Sequence, residues 1–269
     1  MRTLRAFVAA THPIPAAAVT AIAGVLLAAR HAEPRQLVLG ILSTAAGQAS
    51  VGWSNDYLDR DRDRRARRED KPLAAGDISD RSLRDAAVLA LILCVAAGLA
   101  IGVAAAAAMA AAVAGAWAYN LGLKATWLSW APYASSFALL TIFVGAVTDE
   151  LPRPWIPAGA ATLGVAAHLM NAVPDLELDR GMRGLPHRLG ARGSVALAAT
   201  LLGLGLVLAV VATRAWERAP STAAGVVAAV LVAACITAAA RSRPRTGFNL
   251  AIAAAAGVVA VVVTSPGRW

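Results

Sequence analysis

The chain has 269 residues, of which 58% are hydrophobic and only 15% charged, with a mean hydropathy of +0.62 and a formal net charge of +9. A water-soluble domain carries nearer a quarter of its residues as charges, so a soluble class is excluded. Apolar runs of about 17–25 residues recur from end to end, which is the pattern of an all-α polytopic membrane protein and leaves no stretch for a separate soluble domain. The expected organisation is a single integral-membrane domain over 1–269.

In chain order, Arg2 and Arg5 followed by an apolar run resemble a secretory signal. Pro13 and Pro15 sit where a helix would begin, and many apolar runs follow, so a retained first span is expected. Nine spans are expected in all, at about 14–32, 37–57, 84–104, 106–122, 130–148, 155–176, 194–213, 220–240 and 247–264. No charge interrupts 86–121. One helix there would be about 54 Å long against a hydrocarbon core of about 30 Å. A hairpin turning near Gly102 to Ala108 is therefore expected. Cys94 and Cys235 fall inside apolar runs and read as small buried hydrophobes rather than disulfide partners. Trp127, Trp130, Trp155, Trp216 and Trp269 lie near span ends, as in an aromatic belt.

Cytoplasmic loops collect Lys and Arg. With nine spans and the N-terminus inside, 19 of the 25 basic residues fall on the inner side and six on the outer. Reading 86–121 as one span gives 15 against ten. The nine-span arrangement sorts the charges better. It also sends spans two and six out on the same, cytoplasmic side, so the segments that follow them face one another.

Those two segments carry acids in helical phase. "NDYLDRDRDRRARREDKPLAAG", from Asn55 to Gly76, places Asp56, Asp59 and Asp63 within about 60° of one another on a helix, with Asp61 pointing elsewhere. Like charges so spaced destabilise a helix unless something positive sits among them. The interleaved acids argue against reading Arg60 to Lys71 as a nucleic-acid or anionic-lipid patch, so no nucleic-acid partner is expected. The second segment, "NAVPDLELDRGMRGLPHRLG", has Asp175 and Asp179 on one face and Glu177 opposite. Extended backwards, that face takes in Asn171 and His168, a polar stripe running into the membrane. His168 can equally be an interhelical hydrogen-bonder, and Pro174 interrupts the helix before Asp175. Glu177 reads as a surface charge, and Asp149 with Glu150 as a solvated loop. Arg67, Arg68 and Lys71 follow the first cluster, Arg180, Arg183 and Arg188 the second, and Lys124 ends span four. Facing carboxylates ringed by cations suit a diphosphate bridged through Mg²⁺.

These segments resemble those of the UbiA-type intramembrane prenyltransferase superfamily. "NDYLDRDRD" fits its N-D-x-x-D-x-x-x-D motif, "DLELD" its second D-x-x-x-D motif, and "DKPLAAG" and "YNLGLK" their usual continuations. The resemblance implies Mg²⁺-dependent transfer of a prenyl group from an isoprenoid diphosphate, of farnesyl or geranylgeranyl class, to a lipid or aromatic acceptor. It implies that Asn55, Asp56, Asp59 and Asp63 hold one Mg²⁺ and Asp175 and Asp179 another. Lys71 and Lys124 would contact the diphosphate, with Arg68, Arg183, Tyr119, Asn171 and His168 as further substrate-binding residues. Trp53, Trp117 and Tyr119 could line a prenyl pocket, where cation–π contact would stabilise a carbocation; simple packing explains them equally well. One departure is visible: many members carry a third acid where this chain has Arg183. A membrane terpene cyclase, in which the cation is quenched by its own double bonds, is the alternative. An ion-coupled transporter is a third reading, disfavoured because the acids sit at a membrane boundary rather than the midplane.

Single cysteines at Glu69 and Glu177 are expected to react with a membrane-impermeant thiol reagent from the same, cytoplasmic side. Labelling from opposite sides would overturn the shared sidedness of the two motifs.

Overall fold

A computed structural model describes residues 2–177, 181–241 and 243–265. Among them the structure is helical throughout, with ten α-helices and no strand. They are α1 (Arg2–Ala9), α2 (Pro13–Ala29), α3 (Pro34–Arg65), α4 (Asp80–Ile101), α5 (Val103–Leu121), α6 (Ala131–Val147), α7 (Trp155–Ala172), α8 (Leu185–Thr213), α9 (Ala219–Ala240) and α10 (Pro244–Val263). Each expected span coincides with one of α2 to α10. Seven helical stretches among the described residues are long and apolar enough to cross a membrane, or eight if the bent pair α1–α2 counts as one. This differs from the expected nine for two reasons. The 17 residues of α2 meet α1 at a 67° bend, and the uncharged half of α3 is made less apolar by its own small and polar residues, among them Gly40, Ser43, Thr44, Gln48 and Ser50.

The chain groups into two compact units, Met1–Leu121 with Ala146–Asp149, and Gly122–Gly145 with Glu150–Trp269. In the first, α3 is the central helix. Its buried face is lined by small residues: Gly40, Ser43, Thr44, Ala46, Gly47, Ser50 and Ser54. Small side chains let neighbouring backbones approach, and hydroxyls tie them together. Ser43 Oγ donates to the Cys94 carbonyl at 2.9 Å and Ser50 Oγ to that of Ala87 at 2.8 Å, both on α4. From α5, Trp117 Nε1 reaches Ser50 Oγ at 3.1 Å, and Asn120 Nδ2 reaches Ser54 Oγ at 2.9 Å. The expected hairpin exists and turns on one residue, Gly102, between α4 and α5. Helix α1 packs Ala6 and Ala10 onto Leu73, Ile78 and Leu83, with Phe7, Trp53 and Tyr57 at the edge of that cluster.

In the second unit α7 packs on α8, and α10 on α7, α8 and α9. Span seven begins nine residues earlier than the expected 194, because α8 starts at Leu185, with Pro186 in its first turn. Gly190 breaks the helical path (φ 66°, ψ 176°), a left-handed conformation open to glycine at little cost. Cys94 and Cys235 are both buried and free.

A Cβ on Gly98 would lie 2.9 Å from Ala106 Cα across the α4–α5 hairpin, whereas one on Gly102 meets nothing. Gly98→Val is expected to destabilise the protein by about 1–3 kcal/mol through overpacking. Gly102→Ala, at an extended backbone position (φ 171°), should stay within about 0.5 kcal/mol of wild type. Denaturant unfolding in detergent micelles measures both, and equal effects would overturn the close approach of α4 to α5.

Candidate active site

The first motif lies on the last three turns of α3. As the helical phase predicts, Asp56, Asp59 and Asp63 share one face and are buried, at 2%, 7% and 3% exposure. The side chain of Asp61, by contrast, is 64% exposed. Arg60 and Arg64 leave the site and pair with Asp80 at the start of α4. Burying three carboxylates is costly unless they are paired and hydrogen-bonded.

Compensation comes from three directions. Lys71, itself 9% exposed, puts Nζ 2.9 Å from Asp56 Oδ1 and 3.1 Å from Asp63 Oδ2. Arg62 Nη2 donates to Asp59 Oδ2 at 2.8 Å. His12 Nε2 lies 3.1 Å from Asp56 Oδ1. Asn55 Nδ2 is a distant 3.5 Å from the same oxygen. Burial pushes the Lys71 ammonium down, but the carboxylates of Asp56 and Asp63 outweigh it and hold the group above its ordinary value. Arg68, expected to serve the site, forks onto Asp70 with two 2.9 Å hydrogen bonds. This pairing holds the Asp70 carboxyl below the usual carboxylate range.

This donor set suits a hard divalent ion. Among the described residues, three carboxylates face two permanent cations, Lys71 and Arg62. Asp63 Oδ2 is buried and ion-paired to Lys71 yet takes no hydrogen bond among the described residues. Among the described residues no three acidic, His or Cys donors form a preformed cage. Mg²⁺ rarely uses one, since it typically binds through one or two carboxylates plus water and phosphate oxygens. Tyr119, on α5 in the same unit, is half-buried.

The second unit carries the other expected residues. α7 ends at Ala172 and tightens into a 3₁₀ turn over Val173–Asp175, as Pro174 dictates. The polar stripe is therefore not one continuous helical face. His168 is buried, 3.0 Å from Ser129 Oγ through Nε2, with its ring 4.9 Å from that of Tyr133. Asn171 is exposed and hydrogen-bonds the Tyr133 hydroxyl. Asp175 is half-buried, and Glu177 is exposed as expected of a surface charge. Asp179 lies outside the described residues. Arg183 is exposed, and its carbonyl accepts from Arg188 Nε at 3.1 Å. Lys124 is half-buried, on a short 3₁₀ turn; its carbonyl lies where a Cβ on Gly184 would come within 2.6 Å.

Four contributors escaped sequence reasoning: His12, Arg62, Asn120 and Ser129. Asn120 stands inside "YNLGLK", where a polar residue in an apolar helix is itself a signal. His12 meets Asp56 from 44 positions away, a distance that helical phase cannot reveal.

The fold and this acidic face define a helical integral-membrane protein with a carboxylate site. A model of the UbiA prenyltransferase family matches residues 17–264, and the chain belongs to that family. It is 29% identical over 210 residues to the bacteriochlorophyll synthase 33 kDa chain of Cereibacter sphaeroides, covering 73% of this chain and 67% of that one. Its fold is similar to the apo structure of a UbiA homologue from Aeropyrum pernix, with a TM-score of 0.74 at 17% identity over 93% of this chain and 97% of that one. It is also similar to a UbiA homologue from Archaeoglobus fulgidus bound to GPP and Mg²⁺, with a TM-score of 0.68 at 20% identity over 96% and 99%. The same homologue bound to DMAPP and Mg²⁺ gives a TM-score of 0.70 at 19% identity, over 95% of this chain and 99% of that one.

Lys71→Met leaves Asp56 and Asp63 buried without their shared cation. It is expected to cost about 3–5 kcal/mol of stability without divalent ions, with part recovered in Mg²⁺. The stabilisation from Lys71 is complete below its ordinary value of about 10.4 and is lost only as pH climbs through its higher folded value. Thermal unfolding of wild type should therefore show no Lys71-linked step between about pH 6 and 9. A variant as stable as wild type would remove Lys71 from the compensation.

Proposed function

We propose that this protein is an Mg²⁺-dependent prenyltransferase that ionises an isoprenoid diphosphate of farnesyl or geranylgeranyl class and transfers the prenyl group to a lipid or aromatic acceptor. One observation carries the reading: in a chain of the UbiA family, the carboxylates of Asp56, Asp59 and Asp63 are buried on one helical face around Lys71. Support also comes from the Archaeoglobus homologue, seen with GPP or DMAPP and Mg²⁺.

Asn55, Asp56, Asp59 and Asp63 are assigned to one Mg²⁺, and Asp175 and Asp179 to a second. Bound there, Mg²⁺ supplies Lewis acidity that stabilises the departing diphosphate. Lys71 turns its ammonium from the carboxylates towards phosphate oxygens, Lys124 and Arg183 add charge-assisted hydrogen bonds to the same group, and Arg68 joins them on leaving its fork with Asp70. Their positive charge grows in value as negative charge builds on the leaving group. Tyr119 presents its ring face to the allylic cation, while Asn171 and His168 contribute polar contacts along the substrate path. Apolar helices exclude water until the acceptor attacks. Nine spans in one membrane domain, with both motif loops on the cytoplasmic side, complete the proposal.

The test is incubation of the purified protein with prenyl diphosphates of graded length and Mg²⁺, with and without candidate acceptors, followed by diphosphate assay and mass spectrometry. Acceptor-dependent prenylated product is expected. A cyclised hydrocarbon or alcohol formed without acceptor would point to a terpene cyclase, and no diphosphate release would overturn both.

Asp56→Asn and Asp175→Asn are each expected to lower diphosphate release at least about 100-fold, the scale of losing one transition-state electrostatic contact. Asp61→Asn and Glu177→Gln should retain it. Lys124→Ala is expected to raise the apparent donor KM about 10- to 150-fold, equivalent to about 1.5–3 kcal/mol for a hydrogen bond to a charged group. Arg241→Ala serves as the control. An unchanged donor KM at saturating Mg²⁺ would remove Lys124 from the site.

A further inference from the structure

We infer that His12 is a positioning residue, which holds Oδ1 of Asp56 so that the other carboxylate oxygen is presented to the metal. The inference rests on the assignment of Asp56 as an Mg²⁺ ligand. His12 stands at the bend between α1 and α2, and its Nε2 lies 3.1 Å from Asp56 Oδ1. A carboxylate oxygen only accepts, so Nε2 carries the proton and donates. Lys71 Nζ approaches the same oxygen at 2.9 Å. Both partners therefore converge on Oδ1. Locking one oxygen of a ligating carboxylate fixes the direction in which its other oxygen points.

The bend is built to deliver this side chain. His12 adopts a left-handed conformation (φ 55°, ψ 68°) that is unfavourable for a residue with a Cβ. Such strain persists where surrounding structure enforces it, commonly at functional sites. Here the enforcement comes from several contacts. Thr11 lies against Gly52, where a Cβ would come within 2.8 Å of the Thr11 backbone. Trp53 Nε1 donates to the Phe7 carbonyl at 2.9 Å. Ala6 and Ala10 pack on Leu73, Ile78 and Leu83, the loop and helix start that follow Lys71. The two donors to Asp56 Oδ1 thus come from two stretches of chain joined by one small apolar cluster, His12 from the end of α1 and Lys71 from the loop. The backbone of His12 is also used: its N–H donates to the Ala9 carbonyl, and its carbonyl accepts from Ala16 at the start of α2.

Glycine is the residue that separates positioning from simple structure. His12→Gly relieves the left-handed backbone while deleting the imidazole. Mn²⁺ alone is the probe, titrated into the purified full chain and read by the electron paramagnetic resonance signal of free Mn²⁺, with thermal unfolding in its absence as the second readout. In His12→Gly the Mn²⁺ dissociation constant is expected to rise about 10–100-fold, as for other residues that orient metal ligands, with the metal-free Tm within about 3 °C of wild type. His12→Gln, whose side-chain amide can also donate to Asp56, should recover part of the affinity. Wild-type Mn²⁺ affinity in His12→Gly would overturn the inference. Weakened binding that follows an equal fall in Tm in both variants would also overturn it, by showing a structural role alone. Asp56→Asn separates the two levels of argument. If it weakens Mn²⁺ binding and His12→Gly does not, only the role of His12 fails; if wild type does not bind Mn²⁺, or Asp56→Asn binds it as well as wild type, the assignment of Asp56 as a ligand fails with it.

Discussion

Three carboxylates buried on one face of a helix, in a chain made mostly of apolar residues, set the terms for the surrounding structure. An uncompensated buried carboxylate costs several kcal/mol, and three in adjacent turns also repel one another. Asp56, Asp59 and Asp63 are made tolerable as Lys71, Arg62 and His12 reach them. These partners come from the loop after α3, from α3 itself and from the bend between α1 and α2. The carboxylate face therefore draws separate stretches of chain together, and their positions depend on its charge.

Apolar packing makes that convergence possible. Leu73, Ile78 and Leu83 are buried with Ala6 and Ala10, and so the loop carrying Lys71 is held down by burial as well as by its charges. Further along α3, hydroxyls of Ser43 and Ser50 satisfy α4 carbonyls, and Ser54 accepts from Asn120 of α5. Small residues on α3 allow its neighbours close enough for these short side chains to reach. Rigidity of the helix that bears the motif comes from this inner, uncharged half.

The second unit uses a different device. Ser129 Oγ accepts the Leu185 N–H at 2.9 Å and meets His168 at 3.0 Å. One hydroxyl thus ties the start of α8 to the C-terminal part of α7. That bond satisfies one of the otherwise orphaned N–H groups at a helix start and orients the buried His168 ring. The region of the second motif follows directly, where Pro174 ends regular helix. The tightened 3₁₀ turn at Asp175 contrasts with the continuous helix beneath the first motif, and the two halves of the family signature are presented by different local geometries.

Periodicity and charge alone determined a good deal. The all-helical class, the positions of α2 to α10, the hairpin at Gly102 and the shared face of Asp56, Asp59 and Asp63 all follow from spacing along one chain, because helix geometry maps sequence distance directly onto angle and length. The same local rule placed Asp61 and Glu177 in solvent and ended α7 near Pro174. It did not show that Arg68 is taken by Asp70, that α8 begins at Leu185, or that α1 bends 67° from α2. Nor could it find His12, Asn120 or Ser129, whose partners lie 39 to 66 positions away. Those partnerships are decided by which surfaces bury one another, and a buried polar group binds whichever donor or acceptor packing brings within reach. Spacing in the sequence fixes where a side chain points from its own helix; only tertiary packing decides what it meets there.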